Sequence, residues 1–540
     1  MTNPQRKPSI VITVGSTDYT LVLESFPDGS HVIQTAQRSF PSGVPTSNAV
    51  DAANYQGHRV VGQEAPLGMG LRNRFDPRRV ADMNADARFP RLITLPRLQT
   101  TTTFPAGVTA VSFRGFTAAI GELFMWGIQT TGEHILVWDG NNWADATFDA
   151  DTAGNKTTIG GMCEHKGRVV VISHSGGDTT ISDSATGFAW ADLATPAGGT
   201  GSTGLVSDGA NLYKVLNSTT VVLILQQSTD NGATWVSTNT TVGTFLGTAR
   251  GLVVFGDGLD NQAKDVWFTA REGLYHLDVN ADYATSVYTK LVNFQYVWSP
   301  YSGQLIATPH GLVFTDGPEV FLGAFGENNQ FFYKALGING DDGLPLIKQG
   351  DVTWLAYDGI LDELAVGKGG DGGSRNQSIF FYSFKTNLIT ACMGQNATAN
   401  RVSWAGIYSS EAIGINSLHY SRDGGVANDS EALYLQYVSE NPDVQTACTF
   451  DTTGYVTRSR FDGGLLLFRK AFFQGQYAAN DLTNTETLSV KYATDGGALG
   501  SAQVTTTTNF IQALWTDGSA TALGSSAYDI YDEITLARAA

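Results

Sequence analysis

A turn that keeps recurring constrains this chain more than any other feature. Aromatic residues close three successive turns, Asp139-Gly140-Asn141-Asn142-Trp143, Thr186-Gly187-Phe188-Ala189-Trp190 and Asp230-Asn231-Gly232-Ala233-Thr234-Trp235. Trp190 follows Trp143 by 47 positions, and Trp235 follows Trp190 by 45. Weaker counterparts at 278–283, 326–333, 385–388 and 438–443 extend the series to roughly seven units. One period holds four strands of about five or six residues with their turns. A helical repeat of that length would need apolar residues about every 3.6 positions, and the segments between the turns are instead short β-branched runs such as Arg168-Val169-Val170-Val171-Ile172 and Val221-Val222-Leu223-Ile224-Leu225. The period therefore predicts an all-β chain whose body, 106–448, is a roughly seven-bladed β-propeller.

Two flanks do not share the period. Residues 1–105 carry two strand candidates, Ser9-Ile10-Val11-Ile12-Thr13-Val14 and Tyr19 to Leu23, and then a stretch rich in Pro, Asn and Arg. That stretch is longer than an unstructured connection usually runs, which predicts an arm that packs against a neighbour. From 449 to 540 the pattern Leu488-Ser489-Val490-Lys491-Tyr492, a turn at Asp495-Gly496-Gly497 and a last strand over 531–536 predict a small β-sandwich.

Bulk properties narrow the function. With 540 residues and only 16% charged, the chain can bury a large core, and 61 glycines suit many tight turns. A net charge of −18 argues against gripping nucleic acid, which needs Lys and Arg to displace counterions from phosphates. The three cysteines, Cys163, Cys392 and Cys448, form no CxxC pair, so the sequence encodes neither a disulfide framework nor a zinc site. No apolar run spans a membrane and Met1 to Lys7 is polar, which predicts a protein made in the cytoplasm without a secretion signal.

Candidate sites are few. Ser228, Asp230, Gly232, Thr234 and Trp235 fit every fixed position of the Asp box, S/T-x-D-x-G-x-T-W. Its chemistry is structural: the carboxylate accepts N–H groups across the turn, glycine supplies positive φ and the indole packs beneath. Gly367-Lys368-Gly369-Gly370-Asp371-Gly372-Gly373 contains GxGxxG, but an aromatic strand follows it rather than a helix, so it reads as a hairpin loop without a cofactor. Cys163-Glu164-His165 with His174 lacks metal-ligand spacing, and no catalytic, cofactor or metal residue is assigned. Arg72, Arg74, Arg78, Arg79, Arg88, Arg91 and Arg97 gather in an otherwise acidic chain. They are candidate docking residues for an acidic protein surface, set against local pairing with Asp76, Asp82 and Asp86.

The Asp box resembles those of sialidases and other glycan-processing propellers, where it lies at blade edges away from the chemistry. The N-terminal F/Y-R-I-P signature of sialidases is not matched, since Phe89-Pro90-Arg91-Leu92 has a different order. The phrases Leu136-Val137-Trp138-Asp139-Gly140-Asn141-Asn142-Trp143, Gly273-Leu274-Tyr275-His276-Leu277, Ser459-Arg460-Phe461-Asp462-Gly463-Gly464 and Val490 to Gly497 are similar in style to virion proteins of tailed bacteriophages. That resemblance implies a non-enzymatic structural component of the tail (tip, fibre or adaptor), located in the virion. Its partners would be other tail proteins and further copies of itself, with a host surface glycan or receptor as a further contact. The alternative is a carbohydrate-active propeller that stacks sugars on Trp and Tyr in its central funnel. An intracellular scaffold propeller ranks last, because the repeats lack Gly-His and Trp-Asp signatures.

Overall fold

The computed structural model describes the strands Ser9–Val14, Thr17–Val22, Ala81–Met83, Ala85–Asp86 and Arg97–Thr103, and from 112 to 538 the strands with many of their turns. Its only helix of three or more described residues is the 3-10 turn Tyr283–Thr285. Antiparallel sheets follow one another along the chain. Blade 1 is Ser112–Ala119, Glu122–Gln129, Gly132–Trp138 and Trp143–Asp145. Blade 2 is Thr158–His165, Arg168–Ser175, Asp178–Ser184 and Ala191–Ala194, and blade 3 is Ser202–Ser207, Leu212–Thr219, Val222–Ser228 and Val236–Ser237. Blade 4 is Gly251–Phe255, Asp265–Ala270, Gly273–Asp278 and Val287–Asn293. Blade 5 is Leu305–Thr308, Gly311–Asp316, Glu319–Phe325 and Phe331–Ala335. Blade 6 is Val352–Asp358, Glu363–Lys368, Ser378–Ser383 and Leu388–Met393, and blade 7 opens with Arg401–Ser410, Ile415–Asp423 and Asp429–Tyr434.

The first strand of each blade packs against the first strand of the next, and Arg401–Ser410 returns to Ser112–Ala119. The chain is a β-propeller. Each of the seven seams holds its own apolar cluster, for example Phe124, Val137 and Phe148 with Val169, Val171 and Trp190 between blades 1 and 2. Leu123, Met125, Trp138 and Trp143 meet Tyr408 where blade 7 returns to blade 1. Successive strand residues point to opposite faces, and both faces of a blade are covered, so Leu123, Phe124 and Met125 are all buried. That two-sided burial is why the middle strands are continuous apolar runs rather than alternating ones. Near the axis, backbones approach closely: a Cβ on Gly161 would stand 2.7 Å from the Leu205 nitrogen, so blades 2 and 3 touch there only because that side chain is absent.

Closure draws in residues outside 106–448. Arg97–Thr103 pairs antiparallel with Asp429–Tyr434 on one side and with Thr449–Phe450 on the other, so blade 7 takes its fourth strand from the N-terminal arm. Ala85–Asp86 adds a fifth strand to blade 6, beside Leu388–Met393. Ala81–Met83 crosses to the C-terminal unit and pairs with Thr453–Thr457. This unit is a five-stranded antiparallel sheet that also contains Ile530–Arg538, Glu486–Thr494 and Val504–Thr506. Two separate two-stranded ribbons, Lys470–Ala471 with Ser526–Ala527 and Gln474–Ala478 with Phe510–Leu514, are also described in this part of the chain. The last strand is longer than expected, and Ile534 sits between Val456 and Val490 in register.

Candidate functional site

Strands alternate in direction, so the turns after the first and third strands of each blade emerge on one face of the ring. The second turn of each blade and the connections between blades emerge on the other. On the first face, the turn at Ser228–Trp235 is closed by its own side chains. Thr234 donates its N–H to Asp230 Oδ1 (2.8 Å) and its hydroxyl to Oδ2 (2.6 Å), while Ser228 donates to Oδ1 (2.8 Å) and accepts from the Gly232 N–H (2.8 Å). Asn231 and Gly232 take φ of 60° and 98°, the left-handed region that favours glycine, and Trp235 Nε1 donates to the Gly232 carbonyl (3.0 Å). Burial alone would raise the Asp230 carboxyl, but the Thr234 and Ser228 donors hold it below its ordinary range.

The same face carries side-chain latches from blade to blade. The Ile120 N–H donates to Glu164 (2.7 Å), joining blade 1 to blade 2. His165 lies 2.8 Å from Ser207 Oγ and 3.1 Å from Asn231 Oδ1, and Lys166 donates to that same amide oxygen (2.7 Å), joining blade 2 to blade 3. His310 meets Asp362 at 2.6 Å and stacks on Phe384, joining blade 5 to blade 6. Asn416 donates to Asp358 (2.8 Å), joining blade 6 to blade 7. Among the described residues, no group of three or more His, Cys, Asp and Glu side chains is placed to hold a metal ion. His165 and His174 are instead hydrogen-bonded to Ser207, Asn231 and Thr179.

On the opposite face, Asp316 is 3% exposed and its carboxylate accepts the N–H groups of Gln295 (2.5 Å) and Tyr296 (2.9 Å), anchoring the connection from blade 4. Burial raises its pKa, with the Asp351 charge adding to the rise and the two N–H donors opposing it. Lys368 is buried at the end of its strand and donates to the carbonyls of Pro318 (2.8 Å) and Ile338, which fixes blade 6 to the loops of blade 5. The strands on either side of the glycine run are adjacent and antiparallel, with Lys368 paired to Ser378. Chemically, these groups crosslink loops, and their hydrogen-bonding capacity points inward.

Of the docking arginines, Arg97 opens the strand that closes blade 7, its backbone paired with Phe450. Arg72, Arg74, Arg78, Arg79, Arg88 and Arg91 lie outside the described residues. Among the described residues, Trp138, Trp143, Trp190, Trp267 and Trp354 are buried in the seams rather than presented for sugar stacking. Sequence reasoning passed over two buried polar groups, Lys214 and His419, and placed a third, Lys368, in a hairpin loop although it is the buried last residue of a strand. Each sits inside an apolar strand phrase, Leu212-Tyr213-Lys214-Val215-Leu216, Leu364-Ala365-Val366-Gly367-Lys368 and Leu418-His419-Tyr420, and that placement was the available signal.

No family model matches the sequence, and no curated protein matches it. Solved structures similar to it include Sqt1 of Saccharomyces cerevisiae, with 9% identity over 70% of this chain and 96% of that one and a TM-score of 0.39. The β-propeller domain of Cps50 (Swd1) from Myceliophteria thermophila gives 8% identity, 61% and 100% coverage and a TM-score of 0.39. The WD40 domain of coronin from Toxoplasma gondii gives 9%, 63% and 90% with a TM-score of 0.38. The likeness is one of fold and carries nothing about activity.

Proposed function

We propose that this chain is a structural component of a tailed-phage virion, placed in the tail as a tip, fibre or adaptor protein. It acts by assembling with other tail proteins and presents its loop faces toward the host surface. One observation carries the reading: within residues 81–103 the arm adds a strand to the C-terminal sheet, to blade 6 and to blade 7. An arm paired to all three makes one stiff unit of the ring and its appendage, which suits a part that must hold position under load. The described ties on the two faces, such as His310 with Asp362 and Lys368 with the Pro318 carbonyl, join blades and loops, in keeping with a rigid platform. The test is to mix the purified protein with tails from the same source that lack it and to follow co-sedimentation, with a glycan array in parallel. Incorporation without glycan turnover supports the proposal; a protein that ignores tails and cleaves or binds a sugar overturns it.

A second reading, a glycan-binding or glycan-cleaving propeller, has one observation in its favour. Burial raises the pKa of Asp316 and the Asp351 charge adds to the rise, the direction that a proton-donating carboxyl needs. Asp316→Asn would abolish turnover on that reading, and would leave tail incorporation intact on the first.

A further inference from the structure

The outer strand of blade 5, Phe331–Ala335, ends its sheet, and no described strand pairs with its free edge. The outer strands of blades 1 to 4 end their sheets in the same way, whereas those of blades 6 and 7 do not. Blade 6 is covered by Ala85–Asp86, and the last strand of blade 7 is followed by Thr449–Phe450. The blade 5 edge also displays large side chains: Phe332 is 59% exposed and Tyr333 50%. Phe331 and Tyr333 lean on the blade's own aromatics, with Phe331 5.7 Å from Phe325 and Tyr333 5.6 Å from Phe321, while Lys334 is exposed. Among the described residues this edge is open, aromatic and β-prone, and such an edge is a template for another strand.

We propose that this edge pairs with the same edge of a second copy of the chain, antiparallel and centred on Tyr333. The strand is complementary to itself in that register. Phe331 falls opposite Ala335, large against small. Phe332 falls opposite Lys334, an aromatic face against an ammonium, and Tyr333 meets its symmetry mate. No like charges oppose each other, and the pairing has the two-fold symmetry of a closed dimer, so it does not propagate into a fibre. The pairing holds whether or not the protein belongs to a tail.

The experiment is sedimentation equilibrium of the full chain over a wide concentration range, with circular dichroism to verify the fold of each variant. The wild type is expected to reach twice its 57.7 kDa as concentration rises. Phe332→Lys places lysine opposite Lys334 in both symmetric pairs, and it weakens dimerisation roughly tenfold or more. Adding Lys334→Glu to Phe332→Lys restores opposite charges across the seam and recovers the dimer. A wild type that stays monomeric, a dimer indifferent to Phe332→Lys, or a loss that the double substitution fails to repair would each overturn the proposal. A monomer that binds another protein's strand at this edge overturns it as well.

Discussion

Replacing Lys214 by Met should stabilise the propeller at neutral pH. Lys214 is 2% exposed in the second strand of blade 3, paired with Leu205 and Gln226, and it follows Leu212 on the face that meets blade 2. Its ammonium lies 4.3 Å from the ring centroid of Trp235, beneath the Ser228–Trp235 turn. Burial pushes its pKa from 10.5 down to about 8. Keeping it charged at neutral pH therefore opposes folding by about 3 kcal/mol. The cation–π contact returns about 1 to 2 kcal/mol, and methionine keeps the length of the stem and places a thioether over the same indole. The net gain in Lys214→Met should be about 1 to 2 kcal/mol at pH 7, read as a higher denaturation midpoint. Between pH 8 and 10.5 the unfolded lysine holds a proton that the folded one has released, so wild-type stability rises with pH across that window. The variant lacks this rise, and its advantage should shrink by pH 10. A variant at least 1 kcal/mol less stable than wild type at pH 7, or an advantage unchanged between pH 7 and 10, would refute the reasoning.

Two further outcomes follow from buried or locally satisfied groups. His419 is fully enclosed by Trp138, Trp143 and Tyr408 at the seam that closes the ring, and burial pushes its pKa down from 6.5 to about 3. The unfolded chain takes up that proton as pH falls through 6.5 and the folded chain does not, so the protein should lose about 2 kcal/mol by pH 5 from this group alone. His419→Leu should flatten that part of the stability–pH curve, and an unchanged slope would show that carboxylates account for the acid sensitivity. Asp230→Ala removes the acceptor for Thr234 and Ser228 and should lower stability by about 1 kcal/mol. Asp230→Asn should recover part of that loss, and thermal denaturation of the two variants side by side checks the order.

The sequence by itself determined what short-range chemistry can encode. The turn at Ser228–Trp235 closes through hydrogen bonds between residues two to four apart, so its residue types and spacing were readable without knowing what it packs against. Repetition of such turns, with strand-length runs between them, was enough to give the all-β class and the period of the blades. Only the tertiary structure decided how the ring closes. Arg97–Thr103 pairs with strands more than 300 positions away, and nothing in that threonine-rich segment names its partners. For the same reason Ala81–Met83 and Ala85–Asp86, three residues and two, could not be assigned to a sheet from their own sequence. Lys214 and His419 show the limit for single side chains. Their types predict a place in water, and both are buried because each blade is covered on two faces by neighbours that the local sequence does not specify.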